Sequence, residues 1–199
     1  MEKAGRRAVL LPGDIRDEAH CHALVEQTVA RLGRLDVLVN NAAHQAVNKT
    51  LEDVTASEID ESFRTNVFAM YYLVQAAVPH MQPGSAIVNT TSIQAKTAGK
   101  SMLIYAATKG AIASLTIGLS NLLAPQGIRV NCVAPGPVWT PIQPIAKDAE
   151  GIETLGKDVP LGRAGQPAEL AGAFVLLASD AGAYMSGALI PVTGGVPMF

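Results

Sequence analysis

The stretch Ala86-Ile-Val-Asn-Thr90 is a short apolar run that follows a Pro-Gly turn and precedes a helical pattern. That helical pattern covers residues 105–124, and a second apolar run, Ile128-Arg-Val-Asn-Cys-Val133, follows it. Two short apolar runs joined by a helix are typical of neighbouring parallel strands with a helical crossover. This unit therefore predicts an α/β fold.

The same alternation of strand and helix continues on both sides of the unit. Further strands are predicted at residues 7–12, 35–40 and 188–192, and further helices at residues 14–33, 55–79 and 167–178. Thr55 and Glu58 have the spacing of a capping box, and Gly33 supplies a helix stop. The pattern predicts a doubly wound parallel sheet, in one domain that spans residues 1–199.

The composition excludes several classes of partner. The 199 residues are 49% hydrophobic and 16% charged, with a formal net charge of -2. Neither a nucleic acid nor a membrane surface is expected as a partner, because the chain has no cluster of Lys and Arg. We expect no segment to supply the roughly 20 apolar residues of a membrane span. The two cysteines, Cys21 and Cys132, predict no structural disulfide and favour a reducing cytoplasm.

Two other kinds of site find no support in the sequence. His20 and His22 flank Cys21, but residues two apart on a helix point to different sides, so we expect no metal site. Ser92 lacks the Gly-x-Ser-x-Gly turn of a hydrolase nucleophile.

Polar residues follow the predicted strands at the points where the strands end. Asp14, Asn40, Ser92 and the pair Pro135-Gly136 all have this position. In parallel sheets, ligands bind beyond the carboxyl ends of the strands. Tyr105 and Lys109 lie four residues apart at the start of a helix and therefore share a face. Spacing alone leaves open whether they are a catalytic pair or an ordinary amphipathic face.

An ordered set of motifs favours the interpretation of Tyr105 and Lys109 as a catalytic pair. The set is Asn40-Asn-Ala-Ala43, Asn66, Ser92, Tyr105-Ala-Ala-Thr-Lys109, Pro135-Gly-Pro-Val-Trp-Thr140 and Val192-Thr-Gly-Gly195. In this order it resembles the short-chain dehydrogenase/reductase family over essentially the whole chain. The resemblance implies a Rossmann-like fold and an NAD(P)-dependent oxidoreductase acting on a small alcohol, aldehyde or ketone. The motif phrases are most similar to aldehyde reductases that use NADP(H), so NADP is slightly favoured over NAD.

The resemblance also assigns catalytic roles. Tyr105 is implied to be the general acid/base and Ser92 the hydrogen-bonding partner of the substrate oxygen. Lys109 is implied to stabilise the tyrosinate and to bind the nicotinamide ribose. A phenol of pKa about 10 needs such stabilisation to exchange protons near neutrality. Asn66 is implied to belong to a proton relay, in a helix that is kinked there around a water; the alternative is a polar face position.

Further residues match cofactor and substrate contacts of the family. Asp14 with Ile15 matches the adenine contact, although Asp14 would equally suit a helix N-cap. The remaining cofactor positions are Asn40 and Ala42 near the adenosine ribose, Pro135 and Gly136 after a strand, and Thr140 at the nicotinamide amide. For the substrate pocket we expect Gln94, Trp139 and Ile142, with Trp139 as well suited to simple packing.

One part of the family pattern is not found. The sequence lacks the first strand, the glycine-rich phosphate turn, the first helix and the second strand, and Met1-Glu-Lys-Ala-Gly5 resembles the end of a later helix. The family sheet order, 3-2-1-4-5-6-7, places the missing strands between the 7–12 and 35–40 strands. The 7–12 strand is then expected to close up against the 35–40 strand, to pair with another chain, or to detach.

Three interpretations remain open at this point. The first and favoured one is an oxidoreductase whose given chain is N-terminally shortened. The second is a non-catalytic binding or regulatory protein that retains the site residues. The third is a subunit whose sheet is completed by a partner chain. Family enzymes are usually homodimers or homotetramers, and the same is expected here.

Overall fold

The computed structural model describes residues 5–198 and shows a four-stranded parallel sheet in the order β1-β2-β3-β4. The strands are β1 (Val37–Asn40), β2 (Ala86–Thr90), β3 (Arg129–Pro135) and β4 (Leu189–Val192). In the register of the sheet, Ile87 lies opposite Leu38 on one side and Val130 on the other. The predicted parallel α/β architecture is confirmed.

Helices connect successive strands and lie on both faces of the sheet. They are α1 (Glu18–Leu32), α2 (Ala56–Phe63), α3 (Ala69–Ala77), α4 (Gln94–Thr97), α5 (Leu103–Leu123), α6 (Gln143–Ala146), α7 (Ala149–Glu153) and α8 (Pro167–Ala178). A larger core forms where α1, α3 and α5 pack on one face, around Ile87, Ile112 and Val130. A smaller core forms on the other face, where Leu177 of α8 packs on Val88 and Val133.

Strands β2 and β3 are covered on both faces, and their sequences reflect this. All five residues of β2 are buried, as are residues 130–134 of β3. A strand between two helical layers is a continuous apolar run rather than an alternating one. That is why the two runs that predicted the fold were easy to locate.

The predicted strand at residues 7–12 is wrong. These residues form no strand, and the side chain of Leu10 is 88% exposed. A strand needs a neighbour for its backbone N–H and C=O groups, and no described strand runs beside this segment. Within this segment, the guanidinium of Arg7 donates a hydrogen bond to the carbonyl of Arg31 at the end of α1. Of the expected outcomes for this segment, closing up against the 35–40 strand is wrong, and within this single chain the segment lies apart from the sheet. The helix end predicted at Met1-Glu-Lys-Ala-Gly5 falls largely on residues 1–4, outside the described residues.

Strand β1 is consequently an open edge of the sheet. It pairs with β2 on one side and with no described strand on the other. Val37 and Val39 are 36% and 46% exposed, although valines on an inner strand are normally buried. An unpaired, apolar strand edge is a template for another strand.

Local signals placed most helix ends correctly. The capping box of Thr55 and Glu58 opens α2, and Gly33 ends α1 in the left-handed conformation with φ 92°. The N-cap of α1 is Asp17, so the alternative that Asp14 caps this helix is wrong. Asp14 instead accepts a hydrogen bond from the backbone N–H of Arg16 at 2.9 Å and closes the turn before the helix.

The helix predicted from Thr55 towards Pro79 is interrupted. Between α2 and α3 lies a π-helical turn, Arg64–Phe68, with Asn66 fully buried at its centre. A π turn adds one residue to a helix and locally changes its course. The irregularity that the family resemblance implied at Asn66 is therefore present.

Helix α5 with its 3₁₀ extension, Leu103–Gln126, is long and apolar enough by composition to cross a membrane. The expectation that no segment is long and apolar enough to span a membrane is therefore wrong by the criterion of length and composition. In the fold, however, Ile112, Leu115 and Leu119 of this helix are buried in the larger core. The segment is the central helix of a packed α/β layer.

Candidate active site

A cavity of about 1400 Å³ lies at the carboxyl ends of β1, β2 and β3. The segments that follow these three strands form its walls, together with the first turn of α5 and parts of α8. The predicted residues that line it are Ala42, Ser92, Gln94, Tyr105, Lys109, Pro135, Gly136, Thr140 and Ile142. The parallel topology thus brings together residues that are up to 100 positions apart, as expected for this edge of the sheet.

Tyr105 and Lys109 meet on one turn of α5, as their spacing predicted. The ammonium nitrogen Nζ of Lys109 lies 5.3 Å from the centroid of the Tyr105 ring. The same Nζ donates a hydrogen bond of 2.9 Å to the carbonyl of Thr90, at the end of β2. A second tie joins helix and strand, because the hydroxyl of Thr91 donates to the carbonyl of Lys109 at 2.7 Å. The position of the pair is therefore fixed by the sheet.

Burial sets the protonation of the pair. Lys109 is 1% exposed, and removal from water lowers its pKa from 10.5 to about 8. Burial raises the pKa of Tyr105 above its ordinary value, and a hydrogen bond with the Ser92 side chain opposes that rise. Tyr105 is therefore a neutral phenol at pH 7, and Lys109 is largely a cation.

Ser92 occupies the turn between β2 and α4. It is 7% exposed, and its Oγ accepts a hydrogen bond of 3.2 Å from the backbone N–H of Gln94. This contact orients the hydroxyl at the end of a rigid strand. Ser92 and Tyr105 thus present two hydroxyl groups to the same part of the cavity.

The buried side chain of Asn66 connects the loop after β1 to α5. Its Oδ1 accepts from the backbone N–H of His44 at 2.7 Å, and its Nδ2 donates to the carbonyl of His44 at 2.8 Å. Nδ2 also donates to Oγ1 of Thr108 at 3.0 Å, and Thr108 donates to the carbonyl of Tyr105 at 2.7 Å. In this arrangement Asn66 holds the backbone around the site, and its recorded hydrogen bonds involve neither the Tyr105 hydroxyl nor Lys109.

Gly136 allows β3 and β4 to approach closely where the cavity begins. Its N–H donates to the carbonyl of Val192 at 2.9 Å. A Cβ at this position would lie 2.8 Å from the backbone of Thr193, closer than packed atoms come. Glycine is therefore required by the backbone packing, whatever else it contacts.

Besides Asn66, four of the predicted residues do not line the cavity. Asp14 is exposed and pairs with Arg16 at 2.7 Å, while Ile15 packs against the larger core. Asn40 is buried and donates to Oδ1 of Asn89 at 2.9 Å, which ties β1 to β2. Trp139 is 41% exposed and does not line the cavity.

Several cavity residues were not predicted individually from the sequence, although five of them lie in residues 93–103 and 137–165, the segments expected to decide substrate choice. They are Asn41, Gln45, Thr97, Met102, Lys147, Lys157 and Asp158, among others. Asn41 follows β1 directly and Gln45 lies in the same loop, so their place after a strand was a usable signal. The three charged residues belong to the segment between β3 and α8, whose path has no regular period.

The cavity fits one end of a dinucleotide better than the other. Lys109 has three N–H donors, of which the Thr90 carbonyl takes one among the described residues, so donors remain for a ribose. Among residues 5–198, however, no glycine-rich turn joins a strand to the N-terminus of a following helix, which is the usual cradle for a pyrophosphate. The described residues thus fit a nicotinamide ribose and supply no such cradle for the phosphates.

The chain is similar to many oxidoreductases of known sequence. A family model described as enoyl-(acyl carrier protein) reductase matches residues 1–197. The "Uncharacterized oxidoreductase YhdF" of Bacillus subtilis is 48% identical over 195 residues, which are 98% of this chain and 68% of that protein. The "NADPH-dependent aldehyde reductase 1, chloroplastic" of Arabidopsis thaliana is 42% identical over 191 residues, 96% of this chain and 66% of that protein. This chain therefore spans about two thirds of the length of these relatives.

Solved structures agree with the sequence relatives. A blue fluorescent protein from a metagenomic library, in complex with NADPH, matches with a TM-score of 0.89 and 35% identity over 98% of this chain and 78% of that chain. A short chain dehydrogenase from Burkholderia cenocepacia, in complex with NADP, matches with a TM-score of 0.90 and 31% identity, with the same shares covered. On the evidence of the family model, the relatives and the fold, the chain belongs to the short-chain dehydrogenase/reductase family of oxidoreductases.

Proposed function

We propose that this protein is an NADP(H)-dependent oxidoreductase that interconverts a small carbonyl compound and the corresponding alcohol, with Tyr105 as the general acid/base. The observation that carries the proposal is the convergence of Tyr105, Lys109 and Ser92 on one cavity at the carboxyl end of the sheet. NADP is favoured over NAD because one similar relative is named for NADPH and two similar structures contain NADPH or NADP.

The reaction needs one proton at oxygen for each hydride at carbon. When bound, the reduced nicotinamide supplies the hydride that adds to the carbonyl carbon. Ser92 donates a hydrogen bond to the carbonyl oxygen and orients it towards Tyr105. The phenol of Tyr105 gives its proton to that oxygen as the C=O bond becomes an alcohol, and solvent returns a proton to the tyrosinate.

The protonation of the pair favours the reductive direction at neutral pH. Burial keeps Tyr105 in its acid form, which is the form that a reduction requires. Lys109, charged below a pKa of about 8, lies against the ring and stabilises the tyrosinate that forms. Alcohol oxidation needs the tyrosinate at the start and is expected to require a higher pH.

The residues that would hold the nicotinamide end are Lys109 and Tyr105 at the ribose, with Thr140 and the Pro135-Gly136 backbone at the ring. Lys109 supplies donors, and Thr140, Pro135 and Gly136 line the same cavity. The phosphate end would need groups beyond those that the described residues supply.

The test begins with binding and proceeds to turnover. The full chain is titrated with NADPH and with NADH by fluorescence, and circular dichroism on the same sample shows whether the chain is folded. Turnover of an aldehyde panel is then compared for the wild type, Tyr105→Phe and the matched control Tyr184→Phe, whose side chain is fully exposed. We expect Tyr105→Phe to lower kcat by about 10²- to 10⁴-fold with unchanged NADPH binding. Equal turnover by the two variants would refute the role of Tyr105.

A second candidate is favoured by the open edge of β1. The exposure of Val37 and Val39 suits a subunit whose sheet is completed by a strand of another chain. Light scattering of the purified chain decides between them. A folded monomer that binds NADPH supports the enzyme alone, whereas a folded chain that binds no cofactor until it associates supports completion by a partner.

A further inference from the structure

Two lysines in the wall of the cavity have no role in the proposed proton transfer. Lys147 and Lys157 belong to the segment between β3 and α8, and both line the cavity. Both residues are exposed, so a ligand in the cavity can reach their ammonium groups. Neither ammonium group has a recorded ion pair with a carboxylate of residues 5–198. Within the part of the chain that the structure describes, their charges are therefore available to a ligand.

The segment between β3 and α8 separates its lysines from most of its carboxylates. It contains four acidic and three basic residues, and of the acidic ones only Asp158 lines the cavity. Asp148 instead caps α7, where its Oδ1 accepts a hydrogen bond of 2.9 Å from the N–H of Gly151. The segment is thus slightly acidic as a whole, but the residues that it presents to the cavity have an excess of positive charge.

The charge of the whole cavity has the same sign. Among the described residues, its charged lining consists of Lys109, Lys147, Lys157 and Asp158, an excess of two positive charges. The complete chain, in contrast, has a formal net charge of -2. A cleft that is lined by one sign of charge and has low-dielectric walls concentrates its field and attracts ligands of the opposite sign. The cavity is therefore suited to an anion.

The backbone that carries Lys157 is held in place by packing. Gly156, directly before it, has φ 78° and lies so close to the backbone of Ala164 that a Cβ there would overlap it. Leu155 and Val159, on either side, are each 6% exposed. Lys157 is thus an exposed side chain on a fixed turn, and its long stem alone is free to move.

The lysines and the reacting groups belong to different segments of the cavity wall. Ser92 lies in the turn after β2 and Tyr105 in the first turn of α5, whereas Lys147 and Lys157 follow β3. No recorded hydrogen bond joins either lysine side chain to Ser92 or Tyr105 among the described residues. A substrate whose carbonyl lies at Tyr105 can therefore direct a second group towards the lysines.

We propose that Lys147 and Lys157 bind an anionic group of the substrate, at the end away from the carbonyl that is reduced. The ammonium group of lysine is a point charge on a flexible stem, so it accepts a carboxylate or a phosphate. The site then prefers carbonyl acids or carbonyl phosphates to neutral carbonyl compounds of the same length. This inference rests on the proposed function for the identity of the reaction. The phosphates of the cofactor are the other source of such an anion, and the test separates the two sources.

The kinetic test uses two pairs of aldehydes at saturating NADPH. Each pair joins an anionic compound to a neutral one with the same number of carbons: 4-oxobutanoate with butanal, and glyceraldehyde 3-phosphate with glyceraldehyde. The wild type is compared with the double variant Lys147→Gln/Lys157→Gln. The matched control, Lys49→Gln/Lys96→Gln, removes two charges from exposed lysines that do not line the cavity.

The measured quantity is the ratio of kcat/KM for the anionic aldehyde to kcat/KM for its neutral counterpart. In Lys147→Gln/Lys157→Gln we expect this ratio to fall about tenfold for at least one pair, because two exposed charge pairs are lost together. In the control variant the ratio is expected to stay at the wild-type value. If the ratio changes no more in Lys147→Gln/Lys157→Gln than in the control for both pairs, the proposal is overturned.

Fluorescence titration with NADPH tests the cofactor as the alternative source of the anion. We expect the Kd for NADPH to be the same in Lys147→Gln/Lys157→Gln and in the control variant. A weaker NADPH affinity that is confined to Lys147→Gln/Lys157→Gln, with unchanged aldehyde ratios, would assign the two lysines to the cofactor phosphates and overturn the proposal.

A binding measurement without cofactor separates this inference from the function that it rests on. The corresponding alcohols, 4-hydroxybutanoate and glycerol 3-phosphate, are titrated into the full chain and followed by saturation-transfer NMR. We expect at least one to bind about tenfold more weakly to Lys147→Gln/Lys157→Gln than to the wild type and the control. If no aldehyde is reduced but this difference is found, the proposed function fails and the inference stands. If the neutral aldehydes are reduced and neither ratio nor binding depends on the two lysines, the function stands and the inference fails.

Discussion

Replacement of the buried lysine of the candidate active site is expected to change how the stability of the protein depends on pH. Lys109 is 1% exposed, and its pKa in the folded protein is about 8 against 10.5 as the ordinary value. Between these two values the unfolded chain holds a proton on this amine that the folded chain has released. Lys109→Met removes this difference and leaves the other ionisable groups in place.

The sign and the size follow from proton linkage. Because the unfolded state binds more protons between pH 8 and pH 10.5, the stability contributed by Lys109 rises with pH across that window. One pKa unit corresponds to about 1.4 kcal/mol. The wild type should therefore gain about 2 kcal/mol of unfolding free energy relative to Lys109→Met between pH 7 and about pH 9.5.

Urea unfolding of both proteins, followed by circular dichroism over this pH range, measures the difference directly. Lys96→Met is the matched control, since Lys96 is exposed, and its curve is expected to run parallel to that of the wild type. If the difference between the wild type and Lys109→Met stays constant with pH, or falls as pH rises, the argument that burial lowers the pKa of Lys109 is refuted. Lys109→Met is also expected to lose turnover. This loss is measured separately from the change in unfolding free energy.

Three further substitutions test other parts of the structure. Asn66→Leu leaves the backbone N–H and C=O of His44 without partners and is expected to lower the unfolding free energy by about 3 kcal/mol, measured in urea. A loss below about 1 kcal/mol would contradict the idea that the Asn66 side chain holds this loop in place. Gly136→Ala places a Cβ 2.8 Å from the backbone of Thr193 and should cost about 1–3 kcal/mol, seen as a lower melting temperature, whereas an unchanged value would mean that the two strands can separate freely. Leu10→Glu should change the unfolding free energy by less than about 0.5 kcal/mol, because Leu10 is 88% exposed, and a large loss would indicate that this segment packs after all.

The sequence predicted the buried strands well because a strand that is buried on both faces is a continuous run of apolar residues. The bounds of β2 agree with the predicted 86–90, and α8 agrees with 167–178. The predicted strand at residues 7–12 has the same apolar character as β2 but no described neighbour. A strand is stabilised by its partners, so an apolar run alone does not define one. The prediction of a single domain over residues 1–199 stays a prediction.

The site was predictable in its position and less so in its details. The strand ends and the Tyr105-Lys109 spacing placed most of the expected residues around one cavity. Gln45 was not predicted, because only the folded chain shows that this residue lines the cavity. Trp139 was placed near the substrate by its apolar neighbours, but the short helices α6 and α7 shape that segment and leave its ring outside the cavity.

The π-helical turn at Arg64–Phe68 makes the number of residues in this helix as important as their identity. Each residue of an α-helix advances by about 100°, and a π turn takes up one additional residue in a single wider turn, so that the helices on either side keep their directions. Asn66 lies in this wider turn and reaches Thr108 on α5, while α3 directs its apolar face towards α1. Deletion of a single residue in the turn would remove the widening and with it the position from which Asn66 reaches Thr108. Single-residue deletions here are therefore expected to abolish folding or activity, even where substitution of an exposed residue such as Arg64 is tolerated.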